Sequence, residues 1–575
     1  MKSEKYFRSM KFSFFTDSDF FVTKQLKDRI HWLLLSLVLI FVSIVRYRLF
    51  DFPLERDEGE YAYMGQLLLQ GIPPYKLAYN MKLPGTYGMY ALIMKLFGES
   101  TRGIHFGFLL LNLATIVMLF AFVKKVSNSF VALATSAAYG VYSLNPYVLG
   151  FAAHATHFLL FWSLPGVYLL YTATEKKTNI QYFIVGLFFG LGFLMKQQAI
   201  FLILFTGLFF LYHSYKELKA GEFELKQFLI RGILLVTGTV TPFLLTVGIL
   251  YVWGVFPSFW YWTFQYASKY AGMSTLAEGL ANLKNTFLLL TFGYKTLWAF
   301  VGIGLLISFF VKIDLKKKVF LFLLFLFSFL TTTPGLYFRE HYFITFLPFA
   351  FIYFGISIEL FRKILLEKFN IIITTSLVLL LFLIIFKFKA HKEYYFQENP
   401  IKLSRMIYGV NPFQEAIKIS EYIKANTKEE DRIVVLGSEP EIYFYSNRKS
   451  ATGYIYMYPL MEIHPYAKEM QMNLVKDIEN NPHSYLVYVN KKLNYTWSIL
   501  EKSETFLLDW FEKNKKDTYE LVGIAEIISL DETVYKWGEE AKQYKPKSDY
   551  YINRRLNFEE EVGLPLSRRF LYNIS

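Results

Sequence analysis

Read for polarity alone, the chain is a series of apolar runs separated by short polar joints. The runs are rich in Leu, Ile, Val and Phe, and most extend over about 16–25 residues, the length at which a helix crosses a bilayer core. They fall near residues 31–45, 103–123, 129–145, 157–173, 180–195, 199–212, 230–252, 286–311, 319–333, 342–360 and 370–386. This pattern predicts a polytopic α-helical membrane protein with about eleven spans. After residue 387 the pattern changes. DRIVVLG is a short β-branched run ending in glycine, SYLVYVN and YELVGIAEI are further strand candidates, and SEPEIYFYSNR carries helix-start signals. The tail reads as a small α/β domain, with a charged, peripheral stretch from about 535.

Composition agrees. Of 575 residues, 54% are hydrophobic and 19% aromatic, more apolar than an average soluble domain. The formal net charge of +14 would suggest nucleic acid in a soluble protein. Here the basic residues sit at the joints, so membrane orientation explains them and no nucleic-acid partner is expected. There is no cysteine, which excludes disulfides, thiolate metal sites and cysteine nucleophiles. No internal repeat stands out.

The joints also orient the chain. Residues 1–30 are basic, with Lys2, Lys5, Arg8, Lys11, Lys24, Lys27 and Arg29, and are expected in the cytoplasm as a retained, uncleaved start. Lys124-Lys125, Lys176-Lys177, KIDLKKK at 312–318 and Arg362-Lys363 then mark inner ends. The predicted organisation is a cytoplasmic segment 1–30, a membrane domain 31–387 whose first outer loop is 46–102, and an extracytoplasmic α/β domain 388–575.

One outer segment is chemically unusual. ERDEGEYAYM at 55–64 packs four carboxylates and an arginine into ten residues directly after the first span. A charge run is ordinarily a solvated face. The residues after it argue for more: a short helix, a Pro-Pro turn, an aromatic loop and a proline-led helix, the layout of a loop folded onto the membrane surface. Carboxylates desolvated there become stronger bases.

RDEGEYAYMGQLLLQG-x-P-PY followed by K-L-P-G-x-Y resembles the first outer loop of the GT-C membrane glycosyltransferases, in particular the protein O-mannosyltransferases and lipid A aminoarabinose transferases of glycosyltransferase family 39. The motif-level likeness covers residues 53–102. It implies a GT-C-like fold and an enzyme that takes a sugar from a polyprenyl-phosphate donor and transfers it, with inversion, to a lipid, glycan or protein acceptor outside. Asp57 matches the family's catalytic aspartate, the general base, and Glu58 would orient Asp57, the acceptor or a cation. Lys82 matches the lysine near the lipid phosphate. The second motif reads KLPG where the family has KPPG. Met81 stands where aminoarabinose transferases carry a metal-linked glutamate, so no metal ligand is assigned. No cofactor is assigned, and a divalent cation would be compatible.

Further outward-facing positions match more faintly. GFAAHATHFLLF places His154 and His157 either side of Thr156. Their spacing puts both on one helical face, which permits a metal, though a hydrogen-bonded interfacial pair is the simpler reading. YFREHYFITFLP places Arg339 and His341 at the mouth of a late span, where an arginine forks onto phosphate or is neutralised by Glu340. Lys196, at a helix hairpin, either snorkels or reaches the lipid phosphate. Arg102 closes the loop and either joins that phosphate or pairs with the loop's acids. Tyr61 and Tyr87 are candidate contacts for sugar or acceptor, as are His154 and His157. The aromatic loop FWYWTFQYASKY at 259–270 fits an interfacial belt or a sugar groove.

Two rivals belong to other classes. A lipid-linked sugar transporter or flippase predicts repeats and ionisable residues at mid-membrane. An envelope polysaccharide assembly protein needs no Asp-Glu and Lys-Pro loop. With the family likeness, the layout suggests a bacterial inner membrane.

Overall fold

The computed structural model describes residues 24–176, 178–311, 314–365, 392–489, 503–529 and 531–546. Within them the chain forms two compact units.

The first unit comprises Met1–Tyr47, Phe108–Thr246 and Gly279–Phe396. It is helical, because its apolar runs must close their backbone hydrogen bonds internally once water is gone. The apolar runs appear as helices at Lys24–Arg48, Thr101–Val126, Ser129–Tyr142, Ala155–Lys176, Asn179–Met195, Ile200–Lys219, Leu225–Val252, Leu315–Leu330 and Leu347–Leu365. Among the described residues, four helices are long and apolar enough to cross a membrane: Arg29–Arg48, Thr101–Val126, Gln197–Lys219 and Leu225–Val252. The span expected at 286–311 is broken. Helices Leu276–Thr291 and Lys295–Phe310 meet at 111°, and Gly293 between them takes φ +70°, a left-handed geometry that glycine adopts without steric cost. Counted as one span, the bent pair is a fifth. The expected span 370–386 lies outside the described residues.

A buried arginine ties several of this unit's segments together. Arg46 donates to Asn112 Oδ1 at 3.2 Å and to the carbonyls of Ser143 at 3.2 Å and Gly150 at 2.9 Å. Its guanidinium also lies 4.5 Å from the centre of the Phe108 ring. An arginine whose donors are satisfied is the form in which a charge survives burial.

The second unit comprises Arg48–Gly107, Val247–Glu278 and Gln397–Ser575. Residues 48–107 therefore pack with the tail. In the tail, β1 (Arg432–Leu436) is central in a parallel sheet of order β2–β1–β3, with β2 at Lys449–Ser450 and β3 at Tyr485–Tyr488. The expected strands at DRIVVLG and SYLVYVN are β1 and β3. YELVGIAEI supplies β4 (Gly523–Ile527), which pairs antiparallel with β5 (Thr533–Trp537) in a separate hairpin.

The aromatic loop is a core element of this unit. It folds as a short helix Phe256–Trp260, a π-helical turn Tyr261–Tyr266 and a helix Ala267–Ala271. Trp262 and Tyr266 are buried with Val434, Tyr454 and Met457 of the tail. Trp262 stacks on Tyr79 with ring centres 5.4 Å apart, and the Tyr266 hydroxyl donates to Glu462 at 2.7 Å. The wider π turn brings these two rings inward; a wholly lipid-facing belt would leave them exposed.

Candidate active site

The helix Arg56–Leu69 begins where the sequence gathers its acids. Glu55 caps it, accepting a hydrogen bond from the Glu58 amide at 3.0 Å, and Asp57 and Glu58 occupy the first turn, where the helix dipole favours negative charge. Lys82 arrives from the loop after this helix. Its carbonyl accepts from the Tyr75 hydroxyl at 2.7 Å. Tyr75 itself adopts φ +64°, a strained setting for a side chain this large, with its ring buried against Phe259.

The Lys82 ammonium lies 2.8 Å from Asp57 Oδ1 and 2.6 Å from Glu60 Oε2. The other Glu60 oxygen accepts from the Tyr87 hydroxyl at 2.7 Å. The ammonium sits 4.5 Å from the centre of the Tyr61 ring, a cation–π contact. The unit thus brings together Asp57, Lys82, Tyr61 and Tyr87 from the sequence reading, and adds Glu60. Asp57 and Glu60 are i and i+3, so they share a helix face; that spacing is the signal by which Glu60 could have been found.

Burial pushes the Glu60 carboxyl above its ordinary range, with Lys82 pulling it back. Burial works against the Lys82 ammonium, yet Asp57 and Glu60 outweigh it and hold its pKa well above the usual lysine value. Lys82 is therefore a permanent cation here. Burial also raises the Tyr61 and Tyr87 phenols, which stay neutral donors.

Glu58 does not join this group. Its Oε1 is 3.2 Å from His105 Nε2, while His105 Nδ1 is 3.1 Å from the Phe50 carbonyl. A carbonyl only accepts, so Nδ1 carries the hydrogen of that contact. It is Glu60, not Glu58, that shares the Lys82 ammonium with Asp57. Arg102 pairs with Asp51 at 2.9 Å on an exposed surface, the second of the two roles open to it. Met81 packs against the unit's aromatic core.

The remaining sequence-predicted residues belong to the first unit. His154 precedes the helix Ala155–Lys176 and His157 lies in its first turn. His154 stacks on His341 with ring centres 4.2 Å apart, whereas His157 sets its edge against Phe108. The shared face expected for the two histidines is thus replaced by two different aromatic partners, because His154 lies outside the helix. Lys196 lies 4.1 Å from the Tyr342 ring centre, and Tyr342 packs edge-on to His341. Arg339 lies over Tyr337 at 5.5 Å.

Residues 83–252 match the model of the dolichyl-phosphate-mannose-protein mannosyltransferase family, and residues 413–520 match that of the competence-induced protein Ccs4 C-terminal domain. No curated protein matches the chain. Among solved structures, the oligosaccharyltransferase of Archaeoglobus fulgidus tethered with an acceptor peptide is similar, at 11% identity over 90% of this chain and 75% of that chain, with a TM-score of 0.51. The same archaeal enzyme, AglB, in complex with an inhibitory peptide and a dolichol-phosphate matches at 12% identity, with the same coverage and TM-score. ArnT from Cupriavidus metallidurans bound to undecaprenyl phosphate aligns at 13% identity over 73% of this chain and 85% of that chain, with a TM-score of 0.48.

The helical unit and the archaeal likeness define the fold as GT-C, and residues 83–252 are similar to the dolichyl-phosphate-mannose-protein mannosyltransferase family.

Proposed function

We propose that the protein moves a sugar from a polyprenyl-phosphate donor to an acceptor on the extracytoplasmic face, by a single inverting displacement with Asp57 as base. The observation that carries this is the contrast within one acidic cluster. Glu58 and Glu60 have fully buried side chains, while that of Asp57 is 27% exposed and so can meet an acceptor. Asp57 takes the acceptor's hydroxyl proton as that oxygen bonds to the anomeric carbon. The bond from that carbon to the phosphate oxygen breaks, and polyprenyl phosphate leaves with the electron pair.

Lys82 serves the leaving group. An ammonium has three donors, and Asp57 and Glu60 occupy two. The third is offered to a phosphate oxygen, whose charge grows in the transition state, where stabilisation counts most. As phosphate draws Lys82, Oδ1 of Asp57 is released to accept the proton. Lys196, Arg339 and His341 are proposed for the lipid phosphate, Arg102 at most for the approach to it. Tyr61, Tyr87, His154 and His157 are proposed around sugar and acceptor.

The setting is a bacterial inner membrane, with about eleven spans, the N-terminus in the cytoplasm and the tail from about 388 outside. The lipid phosphates and peptides named with the archaeal structures support a lipid-phosphate donor and a lipid, glycan or protein acceptor. The test is transfer of radiolabelled sugar from donor-lipid extract to membrane acceptors by purified enzyme. Asp57→Asn is expected to abolish transfer while retaining undecaprenyl phosphate binding. Transfer at the wild-type rate would refute the assignment.

A further inference from the structure

The residue before Asp57 has a socket of its own. Arg56 donates through Nε to the Ser438 carbonyl at 2.5 Å, and through Nη2 to Asn411 Oδ1 at 3.1 Å and Glu439 Oε1 at 3.2 Å. The side chain of Glu439 is fully buried, and its Oε2 accepts from the Ser438 amide. Phe413 and Tyr458 flank the guanidinium, with ring centres 5.6 and 5.4 Å away. The Arg56 carbonyl accepts from the Tyr456 hydroxyl at 2.9 Å.

This socket stands at the carboxyl end of β1, the central strand of its sheet. In parallel α/β sheets that crevice is the usual seat of a ligand. Here the protein's own arginine fills it. The rest of the same helix face is docked as well. A side chain at Gly59 would put its Cβ 2.7 Å from Cβ and N of Glu441, so only glycine permits this approach. Tyr63 stacks on Tyr443 with ring centres 5.0 Å apart, and its hydroxyl accepts from the Ser450 amide at 2.7 Å. Positions 56, 59 and 63 form one helical stripe. Asp57 and Glu60 lie on the adjoining stripe, towards Lys82.

We propose that Arg56 is a positioning residue whose tail-domain socket sets the direction in which Asp57 points, making residues 411–458 a working part of the catalytic centre. This rests on the assignment of Asp57 as base. Anchoring the carboxylate's immediate neighbour on both main chain and side chain removes the freedom of the helix's first turn. Near-attack geometry is sensitive to such displacement, about 100-fold in rate for about 1 Å.

The test compares Arg56→Lys, Glu439→Gln and Tyr456→Phe with wild type and Asp57→Asn. Initial transfer rates per folded enzyme are taken at limiting and saturating donor-lipid extract, beside undecaprenyl phosphate binding and the thermal transition. Arg56→Lys keeps the charge and loses the planar fork. Positioning predicts a fall in kcat of about tenfold or more, KM within about twofold, and unchanged lipid binding. Tyr456→Phe, which removes one hydroxyl and keeps the fold, moves kcat in the same direction. If all three variants show wild-type kcat per folded molecule, with only the folded fraction or the thermal transition altered, Arg56 is merely structural and the inference falls. If Asp57→Asn also transfers sugar, the base assignment fails and takes this inference with it; an inactive Asp57→Asn beside fully active socket variants overturns this inference alone.

Discussion

Asp57 and Glu60 stand one helical turn apart and hold the same Lys82 ammonium, yet the side chain of Asp57 reaches solvent while that of Glu60 is fully buried. In the proposed mechanism the pair divides the labour: Glu60, tied also to Tyr87, fixes the cation, and Asp57 presents its carboxylate to the acceptor.

Removing Lys82 should therefore damage stability and chemistry separately. Lys82→Met leaves Glu60 and Asp57 without their cation, and breaking a buried ion pair costs about 3–5 kcal/mol. Adding Glu60→Gln removes the stranded charge. The double variant is expected to regain most of the lost thermal stability in detergent and to remain inactive, because no ammonium meets the leaving phosphate. Recovery of transfer in the double variant would show that Lys82 serves only the fold.

Tyr87→Phe deletes one hydrogen bond to a buried carboxylate, a loss of about 1.5–3 kcal/mol for a charged acceptor. Glu60 then loses its lateral support but keeps Lys82. The expected result is a lowered thermal transition and a several-fold slower transfer, read from initial rates per folded enzyme. A rate equal to wild type would remove Tyr87 from the site.

Glu441 gives a pH prediction. Burial first, then the neighbouring Glu439, hold its carboxyl well above the ordinary range. The native state thus keeps a proton that the unfolded chain releases above about pH 4.3. The protein binds more protons folded than unfolded, so this group lowers stability as pH rises from the unfolded value through the folded one. Glu441→Gln lacks that slope. It should exceed wild type in stability at pH 8, with the gain gone at pH 4 and below, as followed by thermal melts across pH.

Much of this was legible in the sequence, and the gaps have physical causes. Uniform apolar runs announced the helices, but they carry no mark of direction, so the 111° break at Gly293 passed unseen. Glycine is frequent within membrane helices, and its φ is fixed only by tertiary packing. Asp57, Lys82, Tyr61 and Tyr87 lie close in sequence and within one motif. Arg56 and Glu439 are 383 residues apart, and no local pattern connects them. β2 is two residues long, below any period. Glu58 entered through the Asp-Glu pair of the family motif; on the helix, residues one apart point about 100° apart, and Glu58 meets His105.

The most direct measurement compares the envelope lipids, glycans and glycoproteins of three strains by mass spectrometry: a deletion, a wild-type complement, and an Asp57→Asn complement at equal expression. The account predicts that one sugar-sized mass is lost on deletion, returns with wild type and stays absent with Asp57→Asn, which keeps the shape of the side chain and removes its basicity. That mass would identify sugar and acceptor together. Full return of the mass with Asp57→Asn would contradict the account at its centre.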